Sequence, residues 1–235
     1  MISTMIELHS LKKRYGKQTV LDVENLTISK GESFGLVGNN GAGKTTMFRL
    51  ILDLIETSEG EISSNGTSVR QREHWKSYTG SYLDEGFLIS FLTPMEYLKF
   101  AAELYVMGEN DINELVEYSD GFVTDELLKE KKLIRDLSKG NKSKVGILSA
   151  LMGNPELIIL DEPFAHLDPS SQIRLKNMMK KLNTEKNVTL LVSSHDLKHV
   201  TEVCNRIVLL EEGKAIKDIL TEQDTLRDLE EYFAV

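Results

Sequence analysis

Gly38-Asn39-Asn40-Gly41-Ala42-Gly43-Lys44-Thr45 fits G-x-x-x-x-G-K-[ST] without a mismatch, and the chemistry of that pattern is the holding of a phosphate chain. Glycines let successive backbone N–H groups turn inward around an anion, which Cβ atoms would obstruct. Lys44 supplies a point charge for the β- and γ-phosphates. The Thr45 hydroxyl is placed to ligate Mg²⁺, with Thr46 beside it. A helix starting here aims the positive end of its dipole at the same phosphates. The loop predicts binding of a nucleoside triphosphate, without saying what the energy is used for.

A second group of reactive residues follows at Leu157-Ile158-Ile159-Leu160-Asp161-Glu162. An apolar run drives a strand into the core, and carboxylates appear where it emerges. Asp161 is placed to hold Mg²⁺, and Glu162 to orient or deprotonate the water that attacks a γ-phosphate. His195 follows the apolar run 188–192 and is expected on the same sheet edge, where an imidazole can hydrogen-bond the γ-phosphate. Tyr15 offers an aromatic face that suits a purine, a stack of ~1–3 kcal/mol. His9, His74, His166 and His199 read as surface or packing residues.

These residues need a frame. Residues 5–11 and 23–29 alternate apolar and polar side chains as half-buried strands do, and 33–37 is a short apolar strand running into the glycine loop. Residues 45–55 read as an amphipathic helix, and 61–62 and 68–69 flank the hairpin signal Ser64-Asn65-Gly66. From 93 to 128 the β pattern disappears. Thr93-Pro94-Met95-Glu96 opens a helix, with further helices at 111–118, 124–128 and 138–152. The runs 157–160 and 188–192 read as strands covered on both faces, joined by a crossover helix at 170–182. Residues 207–210 and 215–219 look like a closing strand pair, and 221–233 like a terminal helix. The frame is therefore an α/β cassette with a helical insert.

Composition narrows the function. The net charge of −9 over 235 residues argues against nucleic-acid binding, which needs a positive surface. Cys204 is the only cysteine, so no intramolecular disulfide forms, and burial is the expectation for it. No apolar run approaches the ~18 residues of a membrane span, and the start shows no signal-peptide pattern, so the chain reads as soluble, with any membrane role exercised through a partner.

At this point the chain resembles the ATP-binding cassette ATPases, the nucleotide-binding subunits of ABC transporters, from residue 5 to about 219. Leu137-Ser138-Lys139-Gly140-Asn141 is similar to the family's signature, Leu-Ser-Gly-Gly-Gln, with Lys139 and Asn141 as departures. Phe164-Ala165-His166-Leu167-Asp168 resembles its D-loop, Ser193-Ser194-His195-Asp196 its switch histidine, and Arg14-Tyr15-Gly16 its adenine-stacking aromatic, with Val20 beside the ribose. Tyr82-Leu83-Asp84-Glu85 matches the Q-loop, with Glu85 (or Asp84, one residue earlier) in the glutamine place.

The resemblance implies a P-loop NTPase core with a mostly parallel central sheet, an N-terminal antiparallel β subdomain and an inserted α-helical subdomain. Residues 1–85 and 155–220 would form the catalytic lobe, about 86–154 the helical signature lobe, and 221–235 a C-terminal helix. It implies ATP and Mg²⁺ as cofactors. Asn39, Asn40, Gly41, Ala42, Gly43, Lys44, Thr45 and Thr46 would bind phosphate; Thr45, Glu85 and Asp161 would bind metal; Glu162, His195 and Lys44 would be catalytic. Ser138 and Gly140 would close over the ATP of a second copy, or of a homologous cassette, in a head-to-tail dimer across which Asp168 communicates. It further implies a separate transmembrane permease, touched by the Q-loop and by residues around 91–107, and a place on the inner, cytoplasmic face of the membrane. The Leu-Ser-Lys-Gly form and the acidic Q-loop resemble an exporter branch. The alternative is a soluble ABC-type ATPase of translation or DNA repair; the single cassette and the acidic charge disfavour it.

Overall fold

The architecture follows from how the apolar residues alternate. The structure, a computed structural model, describes residues 3–233. Met1, Ile2, Ala234 and Val235, which the expected lobe boundaries include, lie outside the described residues. The chain opens with β1 (Thr4–Tyr15) and β2 (Gln18–Ser29), then β3 (Ser33–Val37), α1 (Lys44–Ile51), β4 (Glu59–Ser64), β5 (Thr67–Ser68) and β6 (Thr79–Tyr82). The insert brings α2 (Pro94–Leu104), α3 (Glu109–Tyr118), α4 (Asp125–Lys129) and α5 (Lys139–Ser149). The chain closes with β7 (Leu157–Leu160), α6 (Pro169–Lys186), β8 (Thr189–Ser194), α7 (Leu197–Val203), β9 (Arg206–Glu211), β10 (Lys214–Leu220) and α8 (Thr225–Phe233).

Two sheets result. The first is antiparallel, in the order β2-β1-β4-β5; the second runs β10-β9-β3-β8-β7-β6, parallel except for β10 against β9. This is the α/β arrangement expected, with its antiparallel subdomain and helical insert. The apolar strands bury both faces by strict alternation. Phe34, Leu36, Leu157, Ile159, Leu191, Val208 and Leu210 face the antiparallel sheet and Met47, Phe48 and Leu50 of α1. Val37, Ile158, Leu160, Leu190, Val192, Ile207 and Leu209 face a second core that takes in Leu98, Ile147, Leu175, Met179 and Val200 of the helices. Each such side chain contributes about 1.5–3 kcal/mol by leaving water.

Some elements depart from the sequence expectation. α1 stops at Ile51, with Asp53 in the left-handed region at φ 48°, and α5 stops at Ser149 ahead of a turn at Gly153. β6 and α7 were not anticipated. The hairpin at 64–67 was: Ser64 pairs with Thr67 across Asn65 (φ 50°) and Gly66 (φ 71°), the left-handed pair that matches strand twist. Cys204, 3% exposed, is buried as expected, and burial pushes its thiol up to about 12.

Candidate active site

Parallel register brings the ends of β3, β7 and β8 to one edge: Val37 pairs with Ser194, and Leu160 with Val192. Ligands of open α/β sheets bind outside these carboxyl ends. Here the loop after β3, the carboxylates after β7 and His195 after β8 meet, though Thr45 and Asp161 are 116 positions apart along the chain and Asp161 and His195 are 34.

The loop of residues 38–43 leads into α1, whose first residues are Lys44, Thr45 and the half-buried Thr46. Gly43, the N-cap, sits at φ 107°, and a Cβ there would stand 2.9 Å from the Val20 carbonyl oxygen. That close approach makes Val20 of β2 a direct neighbour of the loop. Tyr15 lies at the tip of the β1–β2 hairpin, 54% exposed, with the Lys13 ammonium 4.8 Å from its ring centre. Asn39, Asn40, Gly41 and Ala42 line a cleft with Glu211, Glu212 and Tyr232.

Lys44 is nearly buried, and its ammonium donates to the Gly38 carbonyl at 2.6 Å while lying 3.3 Å from Glu162 Oε1. Glu162 Oε2 accepts from the His195 amide at 3.3 Å and meets His195 Nδ1 at 2.8 Å. The Glu162 backbone is left-handed at φ 47°, a conformation costing on the order of 1–3 kcal/mol in a non-glycine residue. Ser193 holds it there: its Oγ accepts from the Glu162 amide at 2.9 Å and donates to Asp161 Oδ1. Asp161 Oδ2 accepts from Thr45 Oγ1 at 2.5 Å. Burial raises the Asp161 pKa and the neighbouring Glu162 adds to that; the Ser193 and Thr45 hydroxyls and Lys44 work against it.

Glu85 and Asp84 line a cleft with Asp161, Glu162, Lys139 and His166. Asp84 caps the short turn Glu85–Phe87 through the Gly86 amide at 2.7 Å and lies 3.5 Å from Arg49. Glu85 Oε2 lies 3.6 Å from the Lys142 ammonium and is buried with no hydrogen-bond donor. The donors at Thr45, Asp161 and Glu85 are all hard oxygens, one of them unclaimed by any hydrogen bond. That set fits Mg²⁺, which takes one or two carboxylates and shares its remaining positions with water and phosphate.

Ser138, Gly140 and Asp168 stand apart. Among the described residues, none of them forms a hydrogen bond or ion pair with residues 38–46. Ser138 caps α5, accepting from the Asn141 amide at 3.2 Å, and Gly140 lies in that helix's first turn. Asp168 caps α6; the Ser170 and Ser171 hydroxyls and the Ser171 amide hold its carboxyl well below the usual carboxylate range. Sequence reasoning gave no role to Ser193 or Lys142. Ser193 was legible only as a neighbour of His195, because a serine closing a buried strand carries no periodic signal.

The chain is similar to known proteins along most of its length. A family model described as ABC transporter matches residues 21–165. The chain is 36% identical to the uncharacterized ABC transporter ATP-binding protein YhaQ of Bacillus subtilis, over 90% of this chain and 70% of that protein. It is 32% identical to the lantibiotic transport ATP-binding protein SrtF of Streptococcus pyogenes, over 97% and 96% of the two chains. A solved ATP-binding subunit of an ABC transporter superposes with a TM-score of 0.81 at 30% identity, covering 98% of this chain and 94% of that one.

Proposed function

The chain belongs to the ABC transporter family as an ATP-binding subunit, and from that premise we propose how its own residues bind ATP, split it and pass the work on. The observation that carries the reading is the position of Glu162, whose carboxylate lies 3.3 Å from Lys44 and 2.8 Å from His195 at the mouth of the phosphate loop.

The amides of Asn39 to Thr46 and the Lys44 ammonium take the β- and γ-phosphates; Lys44 exchanges the Gly38 carbonyl for phosphate oxygen. Tyr15 stacks on adenine and Val20 lies against the ribose. Glu162 accepts a proton from the water that attacks the γ-phosphorus. The new P–O bond forms as the bond to the ADP oxygen breaks, and ADP and phosphate leave. His195 meets Glu162 through Nδ1, and with a hydrogen on both ring nitrogens its Nε2 can also donate to a γ-phosphate oxygen. Thr45, Asp161 and Glu85 would hold Mg²⁺, which when bound neutralises charge on the phosphate oxygens.

Ser138 and Gly140 of a second copy, or of a homologous cassette, close over the ATP, and Asp168 communicates across that dimer. The capped start of α5 supports this, since its dipole favours an anion. The catalytic lobe comprises the residues up to 85 and 155–220, the helical lobe about 86–154, and the segment from 221 carries the C-terminal helix α8, which starts at Thr225 and not at the expected 221. Exposed Phe87, Phe91, Phe100 and Leu104 near the Q-loop and along α2 support a permease contact there. Among the described residues no helix is long and apolar enough to cross a membrane. The subunit then works at the inner, cytoplasmic face. Export is the direction we favour, from the Leu-Ser-Lys-Gly signature and the acidic Q-loop; the likeness to a lantibiotic transport protein is consistent with it.

Glu162→Gln tests the reading. It should leave ATP binding intact while phosphate release falls by about a hundredfold or more; near-normal hydrolysis removes Glu162 as the base.

A further inference from the structure

The stretch from Glu162 to Asp168 joins the proposed base to the proposed cross-dimer carboxylate and contains no helix or strand. Its backbone enters the left-handed region at Glu162 (φ 47°) and again at His166 (φ 63°), so it depends on its surroundings for its shape. Phe164 is its buried anchor, 3% exposed. The Phe164 ring stacks on the His199 imidazole, with centroids 4.6 Å apart and planes 35° from parallel. Its carbonyl accepts from Gln172 Nε2 of α6 at 3.2 Å. Lys176 of α6 lies 5.9 Å from the same ring and bonds Glu202 of α7 at 2.7 Å.

His199 is tied in turn to the His195 turn. Asp196, the next residue after His195, caps α7 through the Lys198 amide at 2.9 Å, and its Oδ2 lies 3.6 Å from His199 Nε2. His199 Nδ1 is buried with no hydrogen-bond partner. Burial pushes the His199 pKa below the ordinary imidazole range; Lys176 and Lys198 add to this, and Asp196 and Glu202 oppose it.

We propose that His199 is a positioning residue: its stack on Phe164 couples the turn carrying His195 to the segment 162–168, so that the γ-phosphate sensor and the loop facing the second copy hold one register. The coupling rests on the reading that this site hydrolyses ATP, but its geometry exists without nucleotide, and the experiment uses that.

Amide hydrogen exchange by NMR at Ala165 and Leu167, whose N–H groups bond the Glu162 and Phe164 carbonyls at 3.1 and 3.4 Å, reads the segment directly. In the nucleotide-free full chain, His199→Ala should speed exchange there by about tenfold, while β7 amides keep their rates. It should also lower kcat for ATP by about fivefold with KM within about twofold of wild type. His199→Phe returns a ring to the stack and should restore both readouts to within about twofold. Should His199→Ala not fold, Phe164→Leu, which keeps apolar volume and removes the ring, must reproduce its pattern. Unchanged exchange at Ala165 and Leu167, or a His199→Phe protein as impaired as His199→Ala, overturns the coupling. A wild type that does not turn over ATP sinks the proposed function instead, and the exchange arm then decides the coupling alone.

Discussion

Replacing Ser193 by alanine takes away the group that serves both carboxylate residues at once: the Asp161 Oδ1 donor and the Glu162 amide acceptor. Buried polar atoms left unsatisfied cost about 1–3 kcal/mol, so Ser193→Ala should lower stability by that order in urea denaturation. Turnover should fall more than ATP affinity, because the left-handed turn at Glu162 loses its anchor; an unchanged kcat would show that the turn holds without it. Gly43→Ala should fail in another way. Its φ of 107° and the Val20 carbonyl leave no place for a methyl group, so the loop must deform, and isothermal titration should find ATP binding lost or weakened by about tenfold or more. Lys44 and Thr45 were legible from the glycine-loop pattern, and Asp161, Glu162 and His195 because each comes just after an apolar strand, and parallel strands end together. The partners that tune them were not. Lys142 faces Glu85 from one helix turn past the signature serine, a relation that only the packing of α5 against the Q-loop creates.

α2 illustrates an element whose start is written in the chain. Thr93 accepts from the Glu96 amide, Glu96 returns a bond to the Thr93 amide at 2.8 Å, and Pro94 fills the first turn, where no N–H is needed. Thr93→Ala should cost about 1 kcal/mol in chemical denaturation, with the m-value unchanged; no loss would mean that packing of Leu98 and Ala102 alone fixes the helix. β3, β7 and β8 were legible for an equally local reason, a continuous apolar run bounded by turn or charged residues. β6 was not, since Thr79-Gly80-Ser81-Tyr82 is half small and polar and becomes a strand only by pairing with β7 along the edge of the sheet. α7 escaped for want of length: its seven residues bury only Val200 and Val203, too few to show a period. Arg206 was equally silent, although it rivets β9 to β10 by a two-pronged bond to Asp218, 2.7 Å on each side, and reaches Glu32 at 3.0 Å.

On the scale of the whole molecule, the proposed site is completed only between copies. Glu162→Gln with ATP and Mg²⁺ should run as a dimer in light scattering and return to monomer when nucleotide is removed; monomer alone at high protein and ATP concentration would count against the sandwich. The isolated subunit should prefer ATP to GTP by less than about tenfold, because stacking on Tyr15 reads a π-face and not base edges. Strong discrimination in competition binding would point to a hydrogen-bonding residue at the base. The burial of Cys204 has a practical consequence for all such measurements. A thiol with 3% exposure and an ionisation pushed up to about 12 by burial should resist maleimides and disulfide reagents while the chain is folded, which mass spectrometry after labelling checks. This chain would then serve as its own cysteine-silent background. A cysteine introduced on the exposed surface beside Ser138 or Asp168 would be the sole labelling point, ready for a spin label or a cross-linker that reports how far apart two copies stand at each stage of the cycle.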